Sequence, residues 1–121
     1  LWAWGDNAGK YGNGSSKDSK IPVKVMDDVK MVSTEKMYTL IIKNDGSLWG
    51  TGQLPGSIPE FDGSAVYEFK PIMAGEKFEF VSLCGYYAMV INENGELVVM
   101  YENGEIDNII SGEISVRIRK N

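Results

Sequence analysis

The chain has 121 residues, of which 43% are hydrophobic and 24% are charged. This composition lies well away from that of disordered segments, and the length suffices for one domain with a buried core. The formal net charge is −5 and no run of Lys or Arg exceeds two residues, which argues against a nucleic-acid backbone as a partner. No apolar stretch approaches the roughly 18 residues that a membrane span needs, so we expect no membrane insertion.

The sequence contains no histidine and one cysteine, Cys84. Without imidazole there is no Ser-His-Asp or Cys-His nucleophile and no His metal ligand. Cys84 has no partner for an intramolecular disulfide and no metal-ligand spacing, so we expect an inert thiol. We predict no catalytic, cofactor-binding or metal-binding residues. An enzyme that uses two carboxylates stays open as a further class, because residues distant in the sequence can form such a pair in the folded protein.

Four glycines fall within residues 5–14, near the start of the chain. Such a stretch can cradle a phosphate, but no Gly-Lys-Ser or Gly-Lys-Thr follows, and no helix start is predicted where an anion would sit. We interpret these glycines as positive-φ positions in turns between strands.

Two β-hairpins are predicted further along the chain. The first spans residues 39–49 and turns at the Asn-Asp-Gly of residues 44–46. The second spans residues 88–101 and turns at the Glu-Asn-Gly of residues 93–95. Apolar runs rich in β-branched and aromatic residues flank both turns, as strands require.

The tail continues the β pattern. Turn residues at 102–104 and 111–113 bound two short segments, 106–110 and 114–118, and in the second of them Ile and Val alternate with Ser and Arg. This alternation is typical of a β-meander with one solvated face. Since no window has helical apolar spacing with caps, we predict an all-β fold.

An internal repeat relates the two hairpins, with a period of 49 residues. At the start of the chain the offset is 47, which predicts a two-residue insertion between Gly52 and Gly63. A period of about 49 lies in the range of propeller blades. The pairs that keep the offset of 49 are Pro22/Pro71, Val32/Val81, Ser33/Ser82, Tyr38/Tyr87, Ile42/Ile91, Gly46/Gly95 and Leu48/Leu97.

The first repeat contains an ordered series of spaced motifs. They are Trp4-Gly5, Asn7, Gly9 to Gly14, Pro22, Val29 to Val32, Tyr38-Thr39 and Gly46-Ser47-Leu48-Trp49. This series resembles the repeat of the regulator of chromosome condensation family, in which a Trp-Gly, an Asn, a Gly-rich stretch, a Pro, a Val-containing strand, a His-Thr and a terminal Gly-x-Leu-Trp recur in this order. This sequence departs from the pattern at Glu35, where Gly is usual, and at Tyr38, where His is usual.

The second repeat is weaker, and from Leu97 the motif is lost. We therefore divide the chain into a first propeller repeat at 1–47, a second at 48–96 and a C-terminal β-meander cap at 97–121. The resemblance implies a partial β-propeller of about two four-stranded blades. Because each blade buries its faces against neighbours, we expect either a fragment of a longer protein or a homo-oligomer that completes a ring.

The resemblance implies a non-enzymatic protein-binding module, without choosing the partner, because the family includes nucleotide-exchange factors, light receptors and β-lactamase inhibitors. The loop at 53–64 departs most from the family, so we expect partner contacts there. Bacterial members are often secreted or surface-attached, which makes an extracellular or cell-surface location our expectation. The predicted partner-binding residues are Pro55, Pro59, Glu60, Phe61, Asp62 and Tyr11.

The tryptophans offer an alternative function. Trp2 and Trp49 recur at equivalent repeat positions, which favours packing in the blade core. Trp4 has no aromatic counterpart, because Thr51 stands at its position. A carbohydrate or cell-wall binding module of a bacterial surface protein would need Trp4, Tyr11 or Phe61 exposed in a concave row.

Overall fold

The computed structural model describes residues 1–54, 64–85, 87–101 and 106–109, and the regular structure of these residues is strand throughout. The predicted all-β fold is confirmed. In this described part of the chain, no helix is long and apolar enough to cross a membrane. The strands are β1 (Trp2–Gly5), β2 (Ser19–Lys24), β3 (Val29–Thr34), β4 (Tyr38–Lys43), β5 (Leu48–Gly52), β6 (Val66–Ile72), β7 (Phe78–Cys84), β8 (Tyr87–Asn92), β9 (Leu97–Tyr101) and β10 (Ile106–Ile109).

Both predicted hairpins form, and polar side chains fix their turns. In the β4–β5 turn, the Asp45 carboxylate accepts hydrogen bonds from the Ser47 main-chain N–H at 2.9 Å and from its hydroxyl at 2.5 Å. In the β8–β9 turn, the Asn92 side-chain oxygen accepts from the main-chain N–H groups of Asn94 and Glu96, both at 3.0 Å. Short Asp and Asn side chains favour such local bonds to the backbone, which close tight turns.

The strands form three antiparallel sheets. β1 pairs with β2, the order of the second sheet is β3-β4-β5-β6, and that of the third is β7-β8-β9-β10. The last two strands, Leu97–Tyr101 and Ile106–Ile109, belong to the third sheet. Residues 110–121, the rest of the predicted cap, lie outside the described residues. Two four-stranded sheets agree with the predicted partial propeller.

Each sequence repeat is shared between two sheets. The boundary at residues 47 and 48 falls in the turn between β4 and β5, in the middle of the second sheet. A repeat therefore supplies the last two strands of one sheet and the first two of the next. This staggering ties neighbouring sheets together through the continuous chain.

The two-residue insertion is not where the sequence offset predicted it. Trp2 pairs with Lys24 and Trp49 with Pro71, so the offset of 47 residues continues through β2 and β6. The connections at 6–18 and 53–65 are therefore equal in length, at thirteen residues each. The prediction of an insertion between Gly52 and Gly63 is wrong.

The extra residues fall after β6 instead. Val29 pairs with Lys43 and Phe78 with Asn92, which sets the offset at 49 from β3 and β7 onward. The matching prolines of the sequence alignment do not occupy equivalent pairing positions, because Pro71 lies opposite Trp49 and Lys24 holds the same place opposite Trp2. Strand register therefore places the longer turn between the second and third sheets.

The main core lies between the second and third sheets. Strand β4 is buried on both sides, with Leu40, Ile41 and Ile42 at 0% exposure. Alternation along the strand directs Leu40 and Ile42 to the same side, where they join the third sheet. The buried members of this core are Tyr38, Leu40, Ile42, Leu48, Leu54, Ile72, Phe78, Val81, Leu83, Ala88, Val90, Val98 and Met100.

Candidate functional site

The glycine-rich loop after β1 packs against β6 of the second sheet. The Gly14 main-chain N–H donates to the Tyr67 carbonyl at 2.7 Å, and Asn13 forms a β-bridge with Glu68. Gly12 has a φ of +74°, and a Cβ built there would lie 2.3 Å from Phe69 Cδ2. The glycines of residues 5–14 have positive φ, as the sequence interpretation expected. The close packing of Gly12 on Phe69 is an additional finding.

Asn7 holds this loop together. Its side chain is fully buried, donates to the carbonyls of Ser15 and Lys17 at 2.9 and 2.8 Å, and accepts from the Tyr11 main-chain N–H at 3.0 Å. Sequence reasoning noted Asn7 only as part of the resemblance. Its signal was a single Asn within a glycine-rich stretch, where buried amides commonly satisfy loop backbone groups.

Tyr11 is also a structural residue. It is 4% exposed, and its hydroxyl donates to the Gly5 carbonyl and accepts from the Ser19 main-chain N–H at 3.1 Å. The hydroxyl is therefore engaged within the loop, and the role of Tyr11 as a partner contact stays a prediction. The other predicted contacts, Pro55, Pro59, Glu60, Phe61 and Asp62, lie outside the described residues.

Trp2 and Trp4 are exposed on β1. Their exposed fractions are 57% and 63%, so the predicted core packing of Trp2 is wrong. Its repeat counterpart Trp49 is half-buried, donates from Nε1 to the Ser47 hydroxyl at 2.9 Å and lies with its ring centroid 5.5 Å from Lys43 Nζ. The difference arises because β5 is flanked by β4 and β6, whereas β1 pairs with β2 alone among the described strands.

The exposed tryptophans border an open cleft of about 340 Å³ between β1 and the second sheet. One wall is β1 with the start of its loop, and the other is formed by β3 and β4. The lining is mostly apolar, with Asp6, Lys10, Thr34 and Thr39 as its polar members. We call this the tryptophan cleft, and its lining residues are Leu1, Trp2, Ala3, Trp4, Asp6, Lys10, Tyr11, Val25, Val32, Thr34 and Thr39.

Solved structures with a similar fold include the following three. A crystal structure of human WBSCR16 is 19% identical, with a TM-score of 0.76 over 94% of this chain and 34% of that chain. Prp20p from Saccharomyces cerevisiae is 18% identical, with a TM-score of 0.58 over 81% of this chain and 27% of that one. Yeast RCC1 (Prp20) bound to Kap60 is 19% identical, with a TM-score of 0.58 over 81% and 26%.

The chain has the RCC1-type propeller fold. This confirms, at the level of fold, the predicted relationship to regulator of chromosome condensation repeats. The chain spans about a third or less of the length of the matched chains in these three structures. No protein-family model matches the sequence, and no curated protein sequence matches it either.

In the RCC1-type fold each four-stranded sheet is a blade, and the tryptophan cleft lies where β1 approaches the face of a neighbouring blade. The opposite face of that blade is covered: Met31 and Tyr38 pack against the third sheet. The cleft is thus the open counterpart of a blade-to-blade contact that is closed elsewhere in the chain.

The remaining sequence candidates do not assemble a site. Cys84 is exposed. Its side-chain hydrogen bond is the main cause that raises the pKa of the Tyr87 hydroxyl, and its electrostatic interaction is the second. In the described part of the chain, no three Cys, Asp or Glu side chains converge as a metal site would require.

Proposed function

We propose that this chain is a non-enzymatic protein-binding module that uses the tryptophan cleft as its contact surface. The observation that supports it is the exposure of Trp2 and Trp4 beside an open apolar cleft of about 340 Å³. Large aromatic side chains next to a pocket are the usual anchors of protein interfaces, because they bury much area with few rotatable bonds.

The walls of the cleft are held rigidly, which favours binding. Thr39 on one wall is bonded to Thr34 by a hydroxyl contact of 2.9 Å. On the other wall, the Val25 main-chain N–H donates to the Leu1 carbonyl at 2.9 Å. A preformed surface loses little conformational freedom on association, so more of the contact energy appears as affinity.

Two of the similar structures support the proposal because they come from proteins that bind other proteins. Prp20p has binding properties to Gsp1p and histones, and yeast RCC1 (Prp20) is bound by Kap60. These partners belong to those proteins. The part of our proposal that excludes enzymatic activity rests on the sequence, which lacks histidine, and the proposed extracellular or cell-surface location rests on the resemblance alone.

The proposal is tested by selecting displayed protein domains against the immobilised chain and comparing each binder on the wild type and on Trp4→Ala. We expect binders whose affinity falls by about tenfold or more with this change, as at interface hot spots. The matched control is Ile21→Ala, which removes an exposed side chain on β2 outside the cleft. Binders that respond equally to both variants, or to neither, would contradict the cleft as the contact surface.

A carbohydrate-binding function is the second candidate, favoured by the exposed Trp4 at the edge of a concave surface. Aromatic faces stack on sugar rings. Titration with soluble cell-wall glycans, followed by tryptophan fluorescence, separates the two functions. Saturable glycan binding that is lost in Trp4→Ala would replace the protein-binding proposal.

A further inference from the structure

Two hairpin turns occupy equivalent positions in the repeat. Asp45-Gly46 lies in the β4–β5 turn, and Asn94-Gly95 lies 49 residues later in the β8–β9 turn. Both Asp45 and Asn94 are exposed. Gly46 and Gly95 have φ values of +87° and +82°, the left-handed conformation in which glycine commonly closes a short hairpin. The two turns therefore present an Asp and an Asn to solvent in the same backbone setting.

The side chain of the first turn is held in place, whereas that of the second is not. Ser47 donates to the Asp45 carboxylate from its main-chain N–H at 2.9 Å and from its hydroxyl at 2.5 Å. The equivalent of Ser47 is Glu96, whose main-chain N–H donates to the Asn92 side-chain oxygen instead, at 3.0 Å. Among the described residues, no group forms a hydrogen bond with the Asn94 carboxamide.

The exposure of this carboxamide does not depend on whether another sheet follows the third. The β4–β5 turn already has a following sheet, since the Phe78 main-chain N–H donates to the Gly46 carbonyl at 2.8 Å. Asp45 is nevertheless exposed in that setting. By the repeat, a sheet packed on the β8–β9 turn would contact Gly95 and leave Asn94 open to water.

A second Asn-Gly pair, Asn13-Gly14, is held on both sides of its peptide bond. The Asn13 side-chain oxygen accepts from the Ser15 main-chain N–H at 3.2 Å. The Gly14 N–H donates to the Tyr67 carbonyl at 2.7 Å, next to the β-bridge between Asn13 and Glu68. A reaction between the Asn13 side chain and the Gly14 nitrogen therefore requires the glycine-rich loop to leave β6.

The Gly95 nitrogen is held by a bond within its own turn. Its N–H donates to the Asn92 carbonyl, three residues earlier, at 3.0 Å. Short-range bonds at the end of a hairpin open locally, at a free-energy cost well below that of global unfolding. Glycine also has no side chain to hinder the approach of its nitrogen to Asn94 Cγ.

We propose that Asn94 is a site of spontaneous deamidation, with water as the co-reactant. The Gly95 nitrogen, after its proton passes to hydroxide, forms a bond to Asn94 Cγ. The Cγ–Nδ2 bond breaks, and the leaving nitrogen takes a proton from water and departs as ammonia. Water then opens the cyclic imide at either carbonyl. The products are aspartate and isoaspartate, and in the second the main chain runs through the former side chain and is longer by a methylene.

The isoaspartate product lies where strand pairing begins. The Asn92 N–H donates to the Glu96 carbonyl at 3.0 Å and closes the turn directly before Leu97, which is buried. A longer main chain at residue 94 changes the spacing between these two groups. We therefore expect isoaspartate to destabilise the third sheet, whereas aspartate adds a negative charge at an exposed position. This site uses no residue of the tryptophan cleft and is independent of the proposed function.

The first test follows the intact chain during incubation at neutral pH and body temperature. Cleavage after Tyr87 and Tyr101 separates Asn94 from a third Asn-Gly pair, at residues 103 and 104, which lies outside the described residues. Mass spectrometry with fragmentation measures the conversion of amide to acid at each site. We expect Asn94 to deamidate about tenfold or more faster than Asn13, because its turn opens locally. Equal rates, or a faster reaction at Asn13, would overturn the proposal.

The same measurement in concentrated urea is the control for local sequence. Both sites are Asn-Gly, so their rates should converge to within about threefold when the fold is removed. A ratio of rates that urea leaves unchanged would show that the fold does not set the difference, and would overturn the structural argument.

A substitution tests the role of the missing serine. Glu96→Ser restores at the second turn the residue that holds Asp45 in the first. We expect it to slow deamidation of Asn94 in the folded chain by about fivefold, as one or two added hydrogen bonds would. Glu93→Ser is the matched control, since it changes a glutamate of the same turn at a different position. Equal rates in the two variants would contradict the role of this position.

Denaturant unfolding of the incubated samples measures the structural consequence. We expect wild type to develop a fraction that unfolds at lower denaturant concentration and grows with its isoaspartate content. Incubated Asn94→Gln is the control for all other sites, because glutamine must form a larger ring and cyclises slowly. Fresh Asn94→Asp carries the charge without the longer main chain and should unfold like fresh wild type. Incubated wild type that unfolds like incubated Asn94→Gln, despite isoaspartate at residue 94, would refute the effect on the third sheet.

Discussion

The main-chain N–H of Leu83 donates to the hydroxyl oxygen of Ser33 across the junction between the two four-stranded sheets, at 3.0 Å. The two residues are 50 positions apart, and each belongs to the first strand of its own sheet. A side-chain hydroxyl therefore satisfies a strand-edge N–H that lies beyond the reach of its own sheet. Unpaired buried N–H groups are costly, so this bond helps to fix the packing of the blades.

Replacing Ser33 with Ala removes this acceptor. We expect the free energy of unfolding to fall by about 1–2 kcal/mol, because the Leu83 N–H is left unsatisfied at a mostly buried position. Denaturant unfolding measures the change. Ser82→Ala is the matched control, since Ser82 is the repeat equivalent and its hydroxyl has no such role between the two sheets. Equal losses in both variants would contradict the assignment.

Replacing Gly12 with Ala introduces two costs. The residue has a φ of +74°, and its new Cβ would lie 2.3 Å from Phe69 Cδ2. Gly75→Ala is the control, because its φ is +94° but nothing lies within 4 Å of the new Cβ. We expect about 1–2 kcal/mol of destabilisation at Gly75 from backbone strain alone, and a larger loss at Gly12. Equal thermal midpoints would refute the close packing of the loop on β6.

Replacing Tyr11 with Phe keeps the ring and removes the hydroxyl that joins Gly5 to Ser19. A destabilisation of about 1–2 kcal/mol is expected, since two backbone groups lose their partner. Tyr67→Phe, at a ring that is 48% exposed, is the control and should be near neutral. If binding through the tryptophan cleft fell while stability was unchanged, Tyr11 would be a contact residue, as the sequence predicted.

Asp45 makes the stability depend weakly on acidic pH. Hydrogen bonds from the Ser47 hydroxyl and N–H lower the pKa of the Asp45 carboxyl below its ordinary value of 3.8. A lowered pKa in the folded state contributes stability that is present above about pH 4 and is lost as the pH falls through the folded value. Ser47→Ala should therefore reduce the fall in unfolding midpoint between pH 5 and pH 3. An unchanged slope would argue against the bond.

The local pattern of the sequence predicted the strands well but not the environment of the tryptophans. Alternating apolar runs and Asn, Asp and Gly turns are short-range features, and the hairpins around Asp45 and Asn92 formed where they were expected. The exposure of Trp2 escaped prediction because its repeat position is the same as that of Trp49. The two tryptophans differ in how many strands flank their own strand, and a local sequence pattern does not predict that number.

The sequence by itself determined the all-β class, the repeat and the glycine turns. Hydrophobic alternation and the need for glycine at positive φ are local properties, because each depends on only a few neighbouring residues. Only the tertiary structure decided the strand register, which moved the insertion from the loop after Gly52 to the turn before Phe78. It also decided that Tyr11 is buried and that Trp4 borders an open cleft. Burial depends on which strands and sheets pack side by side, and that is set by contacts between residues far apart in the chain.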